Sequence, residues 1–209
     1  MNTFEYLQSL LPEPSDNVKQ LEAYAKEHNV PIMEPLGIDF LMQLVRMHKP
    51  NYILEIGTAI GYSALRMLEA SPHSQIVTIE RDEQRIKEAE SNFRAFEVED
   101  NVTILKGDAL DLKKDAEKSA PYDMLFIDAA KGKYEDFFNL YAPLLTEKGI
   151  IISDNVLFKG YVADPSSANS RLNQIAKKIR TFNEKLNARE DYHTTIIPIG
   201  DGVAITVKK

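Results

Sequence analysis

From Tyr52 onward, short apolar runs alternate with charge-rich stretches in which apolar residues recur every three or four positions. The runs Tyr52–Ile56, Gln75–Glu80, Val102–Lys106, Asp123–Ile127 and Gly149–Ser153 read as strands. Between them, Gly61–Ala70, Asp82–Phe96, Ala109–Lys118 and Lys133–Leu145 read as helices, with Asp82 as an N-cap and Glu83 in the first turn it opens. Such alternation is the mark of repeated strand–helix units and a mostly parallel sheet. One more amphipathic stretch, Asn169–Leu186, sets Leu172, Ile175, Ile179 and Phe182 at helical spacing and is expected to pack on that sheet. The period then changes. His193–Pro198 and Val203–Val207 are β-like runs joined by Ile199-Gly-Asp-Gly202, a tight turn that makes its two strands antiparallel. Ahead of the first strand, Phe4–Leu11, Asp16–His28 and Pro35–Met47 read as three helices.

The expectation is therefore an α/β, Rossmann-like sheet of seven strands, mostly parallel, with an antiparallel C-terminal hairpin strand. Helices cover both faces and an N-terminal helical extension precedes them. At 209 residues and 44% hydrophobic, the chain suits a single domain over 1–209, with residues 1–48 as a helical cap and 49–209 as the core. A net charge of −7 argues against a broad basic nucleic-acid face, while leaving room for a local basic rim. The absence of Cys excludes thiolate chemistry and agrees with a reducing compartment. With no apolar run of membrane-spanning length and no signal-peptide pattern at Met1-Asn-Thr-Phe, a cytoplasmic protein without membrane partners is expected.

Candidate chemistry lies where strands end, because ligands of open α/β sheets gather outside the carboxyl ends of the strands. Asp128 ends one apolar run, and Asp154-Asn155 ends the next. An Asp after a strand often does no more than cap a helix, but the pairing of these two strand ends offers an all-oxygen donor set suited to Mg²⁺ or Mn²⁺. After the first strand, Glu55-Ile-Gly57-Thr-Ala-Ile-Gly61-Tyr62-Ser63 forms a strand-to-helix turn whose glycines permit close approach of a ligand. It lacks the G-x-G-x-x-G spacing of a diphosphate cradle and the P-loop lysine. Glu80, at the end of the second strand, can accept both hydroxyls of a ribose, and Gly107-Asp108-Ala109 brings another polar group to the same edge. An adenosine without phosphate, carrying a charged amino-acid tail near Glu55, matches these positions. That description is S-adenosylmethionine.

Taken together, Glu55-Ile-Gly-Thr, Gly61-Tyr-Ser, Glu80, Gly107-Asp108, Phe126-Ile-Asp128-Ala-Ala-Lys131, Ser153-Asp154-Asn155 and Gly200-Asp-Gly202 closely resemble the cation-dependent O-methyltransferases of the catechol and caffeoyl-CoA type. Within that family the likeness is greatest to small bacterial enzymes that methylate 5-hydroxyuridine at the tRNA wobble position. The resemblance implies the class I methyltransferase fold, Asp128, Asp154 and Asn155 as Mg²⁺ ligands, and Lys131 as catalytic base. Candidate cofactor contacts are Met33, Glu55, Gly57, Gly61, Tyr62, Ser63, Glu80, Asp108, Ala109 and Asp128. A tRNA anticodon loop is the expected partner, with Lys133, Lys159 and Arg171 meeting its phosphates and Phe158 or Tyr161 stacking on a splayed base. A homodimer is also expected. The competing readings are a methyltransferase for a small catechol-like phenol and a non-catalytic module that binds an adenosyl ligand.

Overall fold

All residues from 1 to 209 are described in a computed structural model of the chain. Five strands, β1 (Tyr52–Ile56), β2 (Gln75–Glu80), β3 (Val102–Lys106), β4 (Tyr122–Ile127) and β5 (Leu145–Ser153), join β6 (Tyr192–Ile197) and β7 (Val203–Lys208) in one sheet. Its order is β3-β2-β1-β4-β5-β7-β6, and β7 alone runs against its neighbours. The chain order reverses between β1 and β4, so their outgoing loops part there and leave a crevice.

Successive strand residues point to opposite faces, and both faces are apolar. Ile53, Ile76, Met124 and Ile152 lie in one layer, packed with α2 (Asp16–Glu27), α3 (Pro35–His48), α4 (Tyr62–Ala70) and α5 (Glu83–Ala95). Their neighbours Leu54, Val77, Leu125 and Ile151 lie in the other, under α7 (Tyr134–Tyr141) and α8 (Ser170–Ala188). Full burial of each such side chain stabilises by about 1.5–3 kcal/mol. Two layers of them hold the central strands rigid and make the strand ends a fixed platform. Val18, Leu21, Ile38 and Leu41 reach the first layer, so α2 and α3 share the core of the sheet. The first helix, α1 (Thr3–Ser9), is closed by an Asn2–Glu5 capping box but buries no residue, leaving Phe4, Leu7 and Leu10 exposed. No helix is long and apolar enough to cross a membrane.

Two elements depart from the reading of the sequence. The expected helix over 109–118 is reduced to α6 (Lys113–Ala116) and a 3₁₀ turn. Asp108 accounts for this, since its Oδ1 accepts from the Leu110 N–H and its carbonyl from the Asp111 N–H, a turn that competes with helix. Strand β5 starts four residues early, at Leu145, where it pairs with Tyr122 before a register shift. The polar sequence Thr146-Glu-Lys hides that portion of the strand.

Candidate active site

The loops after β1 and β4 meet at the reversal of strand order. Gly57 has φ +104°, and a Cβ placed on it would stand 2.1 Å from the Asp128 carbonyl oxygen. No other residue permits that approach. The Asp128 N–H donates to the Ile56 carbonyl (3.0 Å) and the Asp154 N–H to the Ile127 carbonyl (3.0 Å), each extending the ladder by one rung into the loop. A cavity of about 530 Å³ opens above these strand ends, a size suited to a small organic ligand. Met33, Gly57, Tyr62, Ser63, Glu80, Asp108, Ala109 and Asp128 line it, and Lys131, Asp154 and Asn155 complete its other end.

At the β2 end the Glu80 carboxylate is fixed by three backbone donors, Ala59 (3.0 Å), Arg81 (2.8 Å) and Asp82 (3.0 Å). A carboxylate has roughly four acceptor positions, so capacity remains for a ribose hydroxyl. Asp108 is tied by Arg81 Nη1 (3.2 Å) and by the Leu110 N–H (3.0 Å). Removing the Glu80 carboxylate in Glu80→Ala is expected to weaken S-adenosylmethionine binding by about 1.5–3 kcal/mol, the worth of hydrogen bonds to a charged acceptor. Isothermal calorimetry checks this, and an unchanged affinity removes Glu80 from the site.

Two residues read as cofactor contacts lie elsewhere. Glu55 is fully buried beneath the loop and is not part of the cavity wall. Its Oε1 accepts from Ser63 Oγ (2.5 Å) and its Oε2 from Thr78 Oγ1 (2.6 Å), while Thr78 also meets Thr58 Oγ1 (2.6 Å). Burial pushes its carboxyl up to about 7 against the pull of those hydroxyls. Glu55 thus fixes the hydroxyl of Ser63, which does face the cavity. Gly61 also stands outside the wall; its φ is +84° and a Cβ there would come 2.6 Å from the Phe93 ring, so it seats α4 against α5.

At the β4–β5 end, Asp154 is buried and Asp128 half-buried. Burial, followed by repulsion from Asp128, pushes Asp154 up to about 7, and burial likewise raises Asp128 while Lys131 pulls it down. Asn155, held at φ +56°, donates from Nδ2 to Asp154 Oδ2 (3.0 Å) and accepts the Lys131 ammonium on Oδ1. Lys131 also lies 6.0 Å from the centre of the Phe158 ring. One buried and one half-buried carboxylate beside an amide oxygen form a hard-donor set whose mutual repulsion a divalent cation would relieve. Asp128, Asp154 and Asn155 therefore fit Mg²⁺ or Mn²⁺.

Of the cations read as RNA contacts, Lys133 and Lys159 line the cavity, whereas Arg171 sits in the first turn of α8 and does not. Lys133 is also engaged by Asp136 at 3.1 Å. Phe158 is a cavity residue and packs edge-on against Tyr161, which is not (5.8 Å, 70°). Asp201, in the β6–β7 turn, is not among the expected site residues, yet it lines the cavity and adds a negative charge felt by both Asp128 and Asp154. A signal for it existed. Because β7 runs against β5, pairing Ser153 with Ala204, the turn before β7 must come back to the end of β5.

Comparison with known proteins agrees with this geometry. Over 178 residues the chain is 32% identical to a catechol O-methyltransferase of Niastella koreensis, covering 81% of this chain and 79% of that protein. It is 27% identical to a caffeoyl-CoA O-methyltransferase of Stellaria longipes over 93% of this chain and 84% of that one. An O-methyltransferase from Bacillus cereus, solved in complex with SAH, superimposes with a TM-score of 0.84 at 29% identity, covering 98% of this chain and 96% of that one. The family model described as O-methyltransferase matches residues 11–209, and the chain belongs to that family.

Proposed function

We propose that this O-methyltransferase moves the methyl group of S-adenosylmethionine onto a hydroxyl that has a second oxygen beside it, and that the acceptor is 5-hydroxyuridine at the tRNA wobble position, giving 5-methoxyuridine. The observation that carries the reading is one continuous cavity with Glu80 and Asp108 at one end and Asp128, Asp154, Asn155 and Lys131 at the other. The first end suits an adenosine. The second suits a hydroxyl about to be methylated. A divalent cation held by Asp128, Asp154 and Asn155 would lower the pKa of the acceptor hydroxyl and fix its direction.

The chain's own groups do the rest. Glu80 anchors the ribose, and Ser63, oriented by Glu55, receives the amino-acid tail. Lys131 would take the hydroxyl proton as a general base or, as an ammonium, stabilise the oxyanion. As the oxygen–carbon bond forms, the carbon–sulfur bond breaks and its electron pair stays on sulfur, converting the sulfonium to a neutral thioether. Cavity walls that held donor and acceptor in line would supply much of the rate.

A uridine oxidised at C5 presents its hydroxyl next to the O4 carbonyl, as a catechol presents two adjacent oxygens. Lys131, Lys133 and Lys159 around the mouth favour an acceptor carrying phosphate, and Phe158 offers a ring for an unstacked base. The second reading, a small catechol-like phenol, is favoured by the catechol O-methyltransferase of Niastella koreensis among the relatives. Equal amounts of hydroxyuridine-containing tRNA and a simple catechol, offered with labelled methyl donor, separate them. Label is expected on the tRNA. Efficient turnover of the catechol with none on the RNA would promote the second reading.

A further inference from the structure

Beside the cavity lies a second cleft of about 270 Å³ between the Lys131–Lys133 turn and α8, and Lys131 forms part of both walls. Its floor is rigid: Tyr134 and Phe182 are buried and meet edge-on at 5.6 Å, and the Tyr134 hydroxyl is anchored on the Asp154 carbonyl at 2.9 Å. Its rim carries Lys177, Lys178 and the hydroxyl of Thr181, all exposed. The one carboxylate in the lining, Glu135, is taken up by Lys185 at 2.6 Å, and neither Lys177 nor Lys178 has an ion-pair partner. Lys178 reaches back over the turn, its Nζ 3.3 Å from the point where a Cβ on Gly132 would stand. The cleft therefore sets two unpaired ammonium groups, Lys177 and Lys178, beside Lys131 on a protein whose net charge is −7.

We infer that this cleft is an anion subsite for the acceptor, receiving an RNA phosphodiester next to the base that enters the main cavity. The inference rests on the RNA reading of the acceptor. A nucleotide methylated on its base must be splayed out of a single strand, which leaves its flanking phosphates outside the pocket. The shared Lys131 makes the two compartments neighbours, so a base in one brings its backbone to the other. Lys177 and Lys178 are placed to meet that phosphate as point charges, and Thr181 as a hydrogen-bond donor. An overall acidic protein holds RNA through such a local site.

The test titrates a fluorescent anticodon stem-loop RNA onto the wild-type protein and onto the double variant Lys177→Gln/Lys178→Gln at several salt concentrations. The same two proteins are titrated with S-adenosylmethionine. Loss of one phosphate contact is expected to weaken RNA binding about tenfold at low salt and to make the salt dependence shallower by about one unit of log–log slope. Cofactor affinity should stay within twofold, which also certifies the fold of the variant. Equal RNA affinity and equal slope in the two proteins would overturn the subsite while leaving the RNA reading standing. A wild-type protein that binds no RNA at any salt concentration would overturn the acceptor reading, and the subsite with it.

Discussion

Asp154→Ala is expected to lower methyl transfer by about 10³-fold or more, with no recovery at saturating Mg²⁺. Stabilisation of developing charge by a bound cation is worth several kcal/mol in a transition state, and each 1.36 kcal/mol is a factor of ten in rate. The fold should survive. The Asp154 side chain accepts only the Asn155 amide, whereas its carbonyl, which receives the Tyr134 hydroxyl, is kept by alanine. The substitution also removes one of two carboxylates whose burial holds both above their ordinary range. Relief of that repulsion predicts a variant at least as stable as the wild type when both are stripped with EDTA. Thermal denaturation provides a readout independent of turnover, because Mg²⁺ should raise the melting temperature of the wild type and leave that of Asp154→Ala unmoved. An EDTA-treated wild-type enzyme with full activity would return Asp128 and Asp154 to structural roles.

Lys131→Ala is expected to reduce kcat by about 10²–10⁴-fold, the usual contribution of a positioned acid–base group, with little change in cofactor affinity. Charge alone is a competing account, since the ammonium pulls both Asp128 and Asp154 down. Lys131→Arg separates the two: guanidinium keeps the positive charge but cannot take a proton. A base requires Lys131→Arg to remain as slow as Lys131→Ala, and recovery in the arginine variant would make Lys131 an electrostatic partner. Loss of the ammonium should leave cation affinity undiminished, because Asn155 Oδ1 is freed from its hydrogen bond to Lys131.

What the sequence disclosed of this molecule follows from the range of the forces involved. Buried parallel strands such as Met124–Ile127 are apolar on both faces, so they stand out from their surroundings, and the Gly-Asp-Gly turn announces the antiparallel ending. Strand ends then locate Glu80, Asp128, Asp154 and Asn155 at one edge without knowledge of any long-range contact. Glu55 was harder. Its neighbours Ser63 and Thr78 lie 8 and 23 residues away, and only their hydroxyls reveal that the carboxyl is sealed under the loop. The short α6 was concealed by a local competition, in which the Asp108 side chain takes the backbone donor of Leu110. The cleft under α8 joins residues from two distant segments and has no linear motif at all.

The contact between Gly57 and Asp128 has a thermodynamic corollary. The backbone at Gly57, which borders the cavity, and the backbone that carries Asp128 touch with no room for a single methyl group. A shift of either loop would press on the other, so a methyl donor bordered by Gly57 and a cation held by Asp128 would each constrain the other. Whatever factor a divalent cation held there would add to the affinity for the methyl donor, the donor would return to the cation, since coupling between two sites is reciprocal.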